Sequence, residues 1–320
     1  MQILLSSALA LVGMAQATTV CSGTFSTISA AEFVSNLHPG WNLGNNLDAV
    51  PDEGSWNNMP VVASTVDTIK DAGFRSVRLP VTWAYHFTGG SPNWTVDPAW
   101  LQRVSDVVDM IVARGIYAIV DVHHVAFEPI NEPPCNTAVD VTESNKLNNI
   151  FLQAINDAGG FNSQRIVNLV GGGEDSVKTA DWFVAPSGFW NPYAIQFHYY
   201  SPWERSFGAR GSDSDKTTVQ SDFQLLRNAF PDVPLLLGEY DASPTNTEPA
   251  ARYKYLDFLI KTAASLDISC VLWNNGLDHL DRTAGVWRDC DSLSIITKST
   301  ESTANSLPDS TEDASATTHS

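Results

Sequence analysis

The sequence predicts an α/β protein, a single-domain (β/α)8 (TIM) barrel, and three observations carry that prediction. Apolar runs of strand length recur eight times between residues 40 and 274. Most are separated by stretches with helical spacing, the alternation that a parallel sheet requires. Polar residues stand repeatedly at the ends of those runs, where a barrel of this kind gathers its functional groups. The length agrees: 320 residues, 43% of them hydrophobic, suffice for one sizeable core without forcing a second domain.

Taken in order, residues 2–14 carry no charge and are dominated by apolar or small residues, and Ala15-Gln16-Ala17 fits a small-x-small cleavage site. This predicts a signal peptide over 1–17 and hence a secreted, extracellular protein. The barrel domain is expected over 18–299. Ser29 to Leu37 reads as a short helix, Gly40 to Gly44 as a strand, and Val61 to Ala72 as a helix closed by Gly73. Ser76 to Trp83 is a strand, Pro98 to Arg114 an amphipathic helix closed by Gly115, and Tyr117 to His124 a strand with the continuous apolar run of burial on both faces. Ala126 to Ile130 reads as a strand ending in Asn131 and Glu132 and stopped by Pro133 and Pro134. Further strands are expected at 165–170, 193–199, 234–239 and 269–274, with helices at 142–158, 217–230 and 249–266. From Thr300 onward, 10 of 21 residues are Ser or Thr with no apolar period, so 300–320 is expected to be a disordered, O-glycosylated tail.

A net charge of −18 argues against nucleic acid and anionic membrane surfaces, both of which call for basic patches. Beyond the leader no stretch has the length of a membrane span. An extracellular address makes disulfides plausible among Cys21, Cys135, Cys270 and Cys290; Cys270 with Cys290, which bracket one loop, is the first choice of the open pairings. Asn93-Trp94-Thr95 is an N-glycosylation acceptor.

Glu132 and Glu239, 107 positions apart, each end an apolar run. A carboxylate at the tip of a buried strand sits where apolar walls can raise its pKa and a neighbouring amide can hold it, as a general acid needs. Two such glutamates on different strands are the raw material of a retaining glycosidase. Arg78, His123, Asn131, His198, Tyr200 and Trp273 also stand at or just past strand ends. Singly, each reads as a satisfied structural group; together, on six strands and with two glutamates, they read as a site. Asp121, His123, His124 and His198 match no metal-ligand spacing, so neither metal nor other cofactor is expected.

The ordered set Gly40-Trp-Asn-Leu-Gly-Asn45, Val77-Arg-Leu-Pro-Val-Thr-Trp83, Val120-Asp-Val-His-His124, Asn131-Glu-Pro133, His198-Tyr-Tyr200, Leu237-Gly-Glu-Tyr240 and Leu272-Trp-Asn274 resembles glycoside hydrolase family 5, the cellulase family, from about Gly40 to Ile296. The resemblance implies Glu132 as acid/base and Glu239 as nucleophile. It also implies Asn131 on the sugar 2-hydroxyl, Arg78 paired with Glu239, and His198 and Tyr200 bonded to the two carboxylates. His123, with His124 beside it, would face substrate, and Trp273 would stack under a glucosyl ring. The implied protein is a secreted, monomeric, retaining endo-β-1,4-glucanase acting on β-glucan polysaccharide. Mannanase, xyloglucanase and mixed-linkage β-glucanase are the alternatives within the family.

The sequence departs from that pattern at one place. Only Val125, Ala126 and Phe127 separate His124 from Glu128, whereas parallel neighbours need a crossover of a dozen or more residues, usually a helix. Three residues extend only ~10–11 Å. The helix between strands three and four is therefore absent, and the two strands cannot both hold their normal places. Three accounts follow: a lost coding segment, which is favoured; an inactive glycan-binding remnant; or a barrel that displaces one strand. The last predicts strain or a shortened strand at 121–128.

Overall fold

The computed structural model describes residues 27–56, 58–92, 94–123, 131–200, 213–244, 247–276 and 278–298. The expected leader, the strand at 126–130, His124, Cys21, Asn93 and the tail lie outside these residues. The described chain runs α1 (Ala30–Leu37), β1 (Gly40–Asn42), α2 (Ala63–Asp71), β2 (Ser76–Val81), α3 (Pro98–Val112) and β3 (Tyr117–Val122). It resumes with α4 (Ala138–Asp157), β4 (Val167–Asp175), α5 (Ser176–Trp182), β5 (Tyr193–His198), α6 (Asp213–Ala229), β6 (Leu235–Tyr240), α7 (Pro249–Ser265) and β7 (Ile268–Leu272). A small antiparallel hairpin, β8 (Leu280–Asp281) with β9 (Val286–Trp287), precedes α8 (Cys290–Lys298).

Local chemistry accounts for the helix boundaries. The Asp97 side chain caps α3 by accepting from the Ala99 N–H, and Pro98 takes the first turn, where its missing N–H costs nothing. Trp100, Val104, Val107 and Ile111 then fall on one face and are buried. Thr137 and Asp140 form a reciprocal capping box that starts α4 four residues earlier than apolar spacing alone places it.

The seven long strands form one parallel sheet in the order β3-β2-β1-β7-β6-β5-β4. Among the described residues, that is the strand order of an eightfold barrel in which no strand stands between β3 and β4, where the expected fourth strand belongs. Leu37 of α1 packs with Leu236, Val271, Tyr117 and Ile119 inside the sheet, and the Ser76 and Ser269 hydroxyls bond to carbonyls of α1 at 2.6 Å. α1 therefore plugs the end of the barrel remote from the strand C-termini.

Two expectations are corrected. β3 is not buried on both faces: outward-facing Val120 is 47% exposed, because the helix that would cover it is missing from the sequence. β3 also stops at Val122. Cys270 and Cys290 are not bridged: Cys270 sits in the middle of β7 with its thiol in the core, whereas Cys290 opens α8 on the surface, and both are free, as is Cys135.

Candidate active site

Arg78 is the hub. It points inward from β2, is fully buried, and its guanidinium binds four acceptors. Nη1 donates to Asn42 Oδ1 at 2.9 Å and to Glu239 Oε1 at 2.5 Å. Nη2 donates to Asp121 Oδ2 at 2.8 Å and to Asn131 Oδ1 at 2.9 Å. Burial alone would lower its pKa; Asp121, Glu239 and Glu174 outweigh that and raise it, so the charge is permanent.

Glu239 reaches Arg78 because β6 breaks its pairing. Leu236 faces inward, so strict alternation would turn Gly238 in and Glu239 out. The register of β6 shifts against β5 between Phe197 and His198, and against β7 between Leu237 and Tyr240. Such irregularities re-aim a side chain, here bringing the carboxylate inside. Gly238 is required as glycine, since a Cβ there would lie 2.5 Å from the Gln196 side chain. Glu239 Oε2 accepts from the Tyr200 hydroxyl at 2.7 Å and lies 3.6 Å from His198 Nδ1. Burial pushes the carboxyl up, but His198, Arg78, His123 and the Tyr200 bond overcome it and bring its pKa to about 2. Glu239 is thus an anion across the whole range in which the protein would work.

His198 is enclosed by carboxylates. Nδ1 stands 2.8 Å from Glu132 Oε1, and Nε2 makes a 3.3 Å charge contact with Glu174 Oε2. Desolvation lowers its pKa, but Glu174, Glu239 and Glu132 lift it to about 9. At neutral pH it is an imidazolium, a donor at both nitrogens. Glu132 itself is not walled in: its side chain is 47% exposed, and its backbone holds φ +50°, left-handed for a non-glycine residue. His123 Nδ1 lies 2.8 Å from Asp121 Oδ2, and its ring stacks on Trp273 at 5.6 Å between centroids, 16° from parallel.

Of the residues singled out in sequence, Arg78, His123, Asn131, Glu132, His198, Tyr200, Glu239 and Trp273 converge on this centre; His124 lies outside the described residues. Sequence reasoning passed over Glu174, a fully buried carboxylate at the end of β4, and Gln196, whose Nε2 donates to it at 2.8 Å. The expected strand stopped at residue 170, before Gly171-Gly172-Gly173, so Glu174 read as loop. An acid closing a glycine run after an apolar strand was the signal available.

One atom each from Glu132, His198 and Glu239 lie within 4.8 Å of one another, close enough to surround a metal ion. The donor chemistry disfavours one: a protonated imidazole has no lone pair to give, and Arg78 already neutralises Glu239.

The family pattern for cellulase (glycosyl hydrolase family 5) matches residues 40–126 and 124–279, two stretches that meet at the shortened junction. The chain belongs to glycosyl hydrolase family 5. Endoglucanase B of Ruminococcus albus is 27% identical over 312 residues, spanning 77% of this chain and 73% of that protein. The cellulase/esterase CelE of Acetivibrio thermocellus is 27% identical over 302 residues, with 78% of this chain matched to only 37% of the relative. A tri-modular subfamily 4 endo-β-1,4-glucanase from Bacillus licheniformis is 30% identical with a TM-score of 0.76, covering 85% of this chain and 60% of that one. The same enzyme has been seen with cellotetraose. Several of these relatives are therefore considerably longer than the portion this chain spans.

Proposed function

We propose that this family 5 chain is a secreted, retaining endo-β-1,4-glucanase, with Glu239 as nucleophile and Glu132 as acid/base. The observation that carries the reading is the carboxylate pair: one oxygen of each lies within 4.8 Å of the other, across His198. Retaining glycosidases hold their carboxyls ~5–5.5 Å apart, whereas inverting ones leave ~6.5–9.5 Å for a water. Glu239 attacks the anomeric carbon while Glu132 protonates the departing glycosidic oxygen; the C–O bond to the leaving sugar breaks and a glycosyl ester to Glu239 forms. Water then attacks that carbon, Glu132 takes its proton, and Glu239 is released. In this reading Asn131, whose Oδ1 accepts from Arg78, bonds the sugar 2-hydroxyl. The names of the relatives, and the cellotetraose bound by the Bacillus licheniformis enzyme, support β-1,4-glucan as substrate.

Proton NMR of the first product from a soluble cello-oligosaccharide tests the mechanism: the β-anomer is expected before mutarotation, and an initial α-anomer overturns retention. Trp273, half-buried and carrying His123 on one face, is the proposed sugar platform. Trp273→Ala should raise KM about tenfold with a smaller change in kcat, equivalent to ~1.4 kcal/mol of lost stacking. An unchanged KM would return Trp273 to core filling.

The shortened junction after β3 favours a second reading, a glycan-binding remnant without turnover. Calorimetry with cellohexaose, run beside a reducing-end assay on soluble β-glucan, separates the two. Binding without hydrolysis supports the remnant, and hydrolysis removes it.

A further inference from the structure

Glu132 follows directly on the shortened junction, so the contacts that hold its main chain bear on whether it can work. The described contacts show what does. Glu132 N–H donates to Glu174 Oε2 at 2.8 Å, and Gly173 N–H donates to the Pro133 carbonyl at 2.9 Å. The end of β4 is shaped for this. Its register against β5 breaks between Val170 and Asp175, and Gly173 and Glu174 both take left-handed φ, +62° and +52°. For a glutamate that conformation is costly. It turns the Glu174 side chain away from water and into the centre, where it is fully buried. A carboxylate driven to that position should be fully bonded, and it is: Oε1 accepts from Gln196, while Oε2 accepts from Glu132 and faces His198.

We propose that Glu174 is a positioning residue for the acid/base. It clamps the Glu132 backbone in its left-handed turn and, from the far side of the ring, favours the His198 imidazolium whose other N–H meets the Glu132 carboxylate. Glu174 touches neither substrate nor the reacting atoms. It acts through one hydrogen bond, from the main chain of Glu132, and one 3.3 Å charge contact, to the histidine that orients its side chain. The charged groups that act on this pair are Arg78 from β2, Asp121 from β3, Glu132, and Glu239 from β6. Burial raises the Glu174 pKa, and His198 and Arg78 are the cations that oppose this. Glutamine in its place keeps the volume and one acceptor oxygen but removes the charge facing His198.

The proposal rests on the acid/base reading of Glu132, and its test separates the two. In full-length protein with 15N-labelled histidine, His198 of the unmodified chain should titrate well above a free imidazole, and in Glu174→Gln it should fall by at least about one pH unit. No change in that titration overturns the proposal whether or not the protein hydrolyses anything. The second readout is leaving-group dependence. Glu174→Gln should lower kcat on soluble β-1,4-glucan about 100-fold, in line with the ~10²–10⁴ that a positioned acid supplies. On 2,4-dinitrophenyl cellobioside, whose leaving group needs little protonation, the loss should be under tenfold. Equal losses on both substrates would make Glu174 a structural residue only. If the unmodified chain cleaves neither substrate, the acid/base reading fails and the titration alone decides the clamp. If Glu174→Gln does not fold, Glu174→Asp carries the test. It keeps the charge one methylene short of the Glu132 N–H, so the His198 titration should stay high while kcat on glucan drops about tenfold. Unchanged kcat in that variant overturns the clamp.

Discussion

Glu239→Gln should lower kcat on soluble β-1,4-glucan by on the order of 10⁴–10⁶, with KM little changed, as loss of a covalent nucleophile does elsewhere. The amide fills the same volume but cannot form the glycosyl ester. It also cannot take up the charge that Arg78 and Tyr200 are arranged to bond. Full activity in this variant would remove the nucleophile assignment. The substitution should also change acid stability, with a sign that the electrostatics dictate. The Glu239 pKa is depressed to about 2 from an ordinary 4.5. The stability it contributes is therefore complete above pH 4.5 and is lost as pH falls from there through 2. The glutamine variant lacks this one group, so its melting temperature should decline less steeply with acid than that of the parent. His198, raised to about 9, works in the opposite direction: its contribution is complete below pH 6.5 and is lost as pH climbs through 9. Both slopes can be followed by circular dichroism at a series of pH values. A parent melting temperature indifferent to acid between pH 4.5 and 2 would contradict the Glu239 environment.

Much of this centre was legible in sequence because barrel strands end where their apolar runs end. His123, His198, Glu239 and Trp273 could each be placed at a rim from residue type and position alone; Arg78, also expected at a strand end, lies inside β2 (Ser76–Val81) and reaches the centre through its long side chain. Helix boundaries were legible where capping and termination signals are strong, as at Pro98 and at Gly115, which takes φ +72°. Register was not legible. Nothing in Leu235-Leu236-Leu237-Gly238-Glu239 announces that the pairing slips and turns Glu239 inward, because that is settled by Gln196 lying against Gly238 from another strand. The same holds for Glu174: the three preceding glycines suggest a loop, and only the packing of β4 beside the Glu132 segment shows that they end a strand. The shortened junction was legible as arithmetic, since too few residues join two parallel strands. Its consequence for β3, an uncovered Val120, follows directly.

Arg78→Met should destabilise the fold by ~3–5 kcal/mol, the cost of removing one partner from a buried ionic network, and should abolish turnover as well. Methionine keeps the apolar stem but removes the guanidinium that Asp121 and Glu239 both bond, and leaves the buried Glu239 with His198, 3.6 Å away, as its neighbouring cation. The loss exceeds that of one ion pair because Arg78 bonds groups on β1, β3, β6 and the segment carrying Asn131. In an intact barrel those elements are also joined by a continuous ring of strand pairing. Among the described residues no strand joins β3 to β4, so Arg78 is a principal tie from the β3 side to Asn131 and hence to the neighbouring acid/base. Lysine does not replace it, since a single ammonium has three donors on one atom and cannot reach four acceptors spread across two nitrogens. Arg78→Lys should therefore recover part of the stability and little of the activity. Urea unfolding of the three proteins at pH 7 reads the first effect and a reducing-end assay the second. A methionine variant within 1 kcal/mol of the parent would show that the strands, not this guanidinium, hold these elements together.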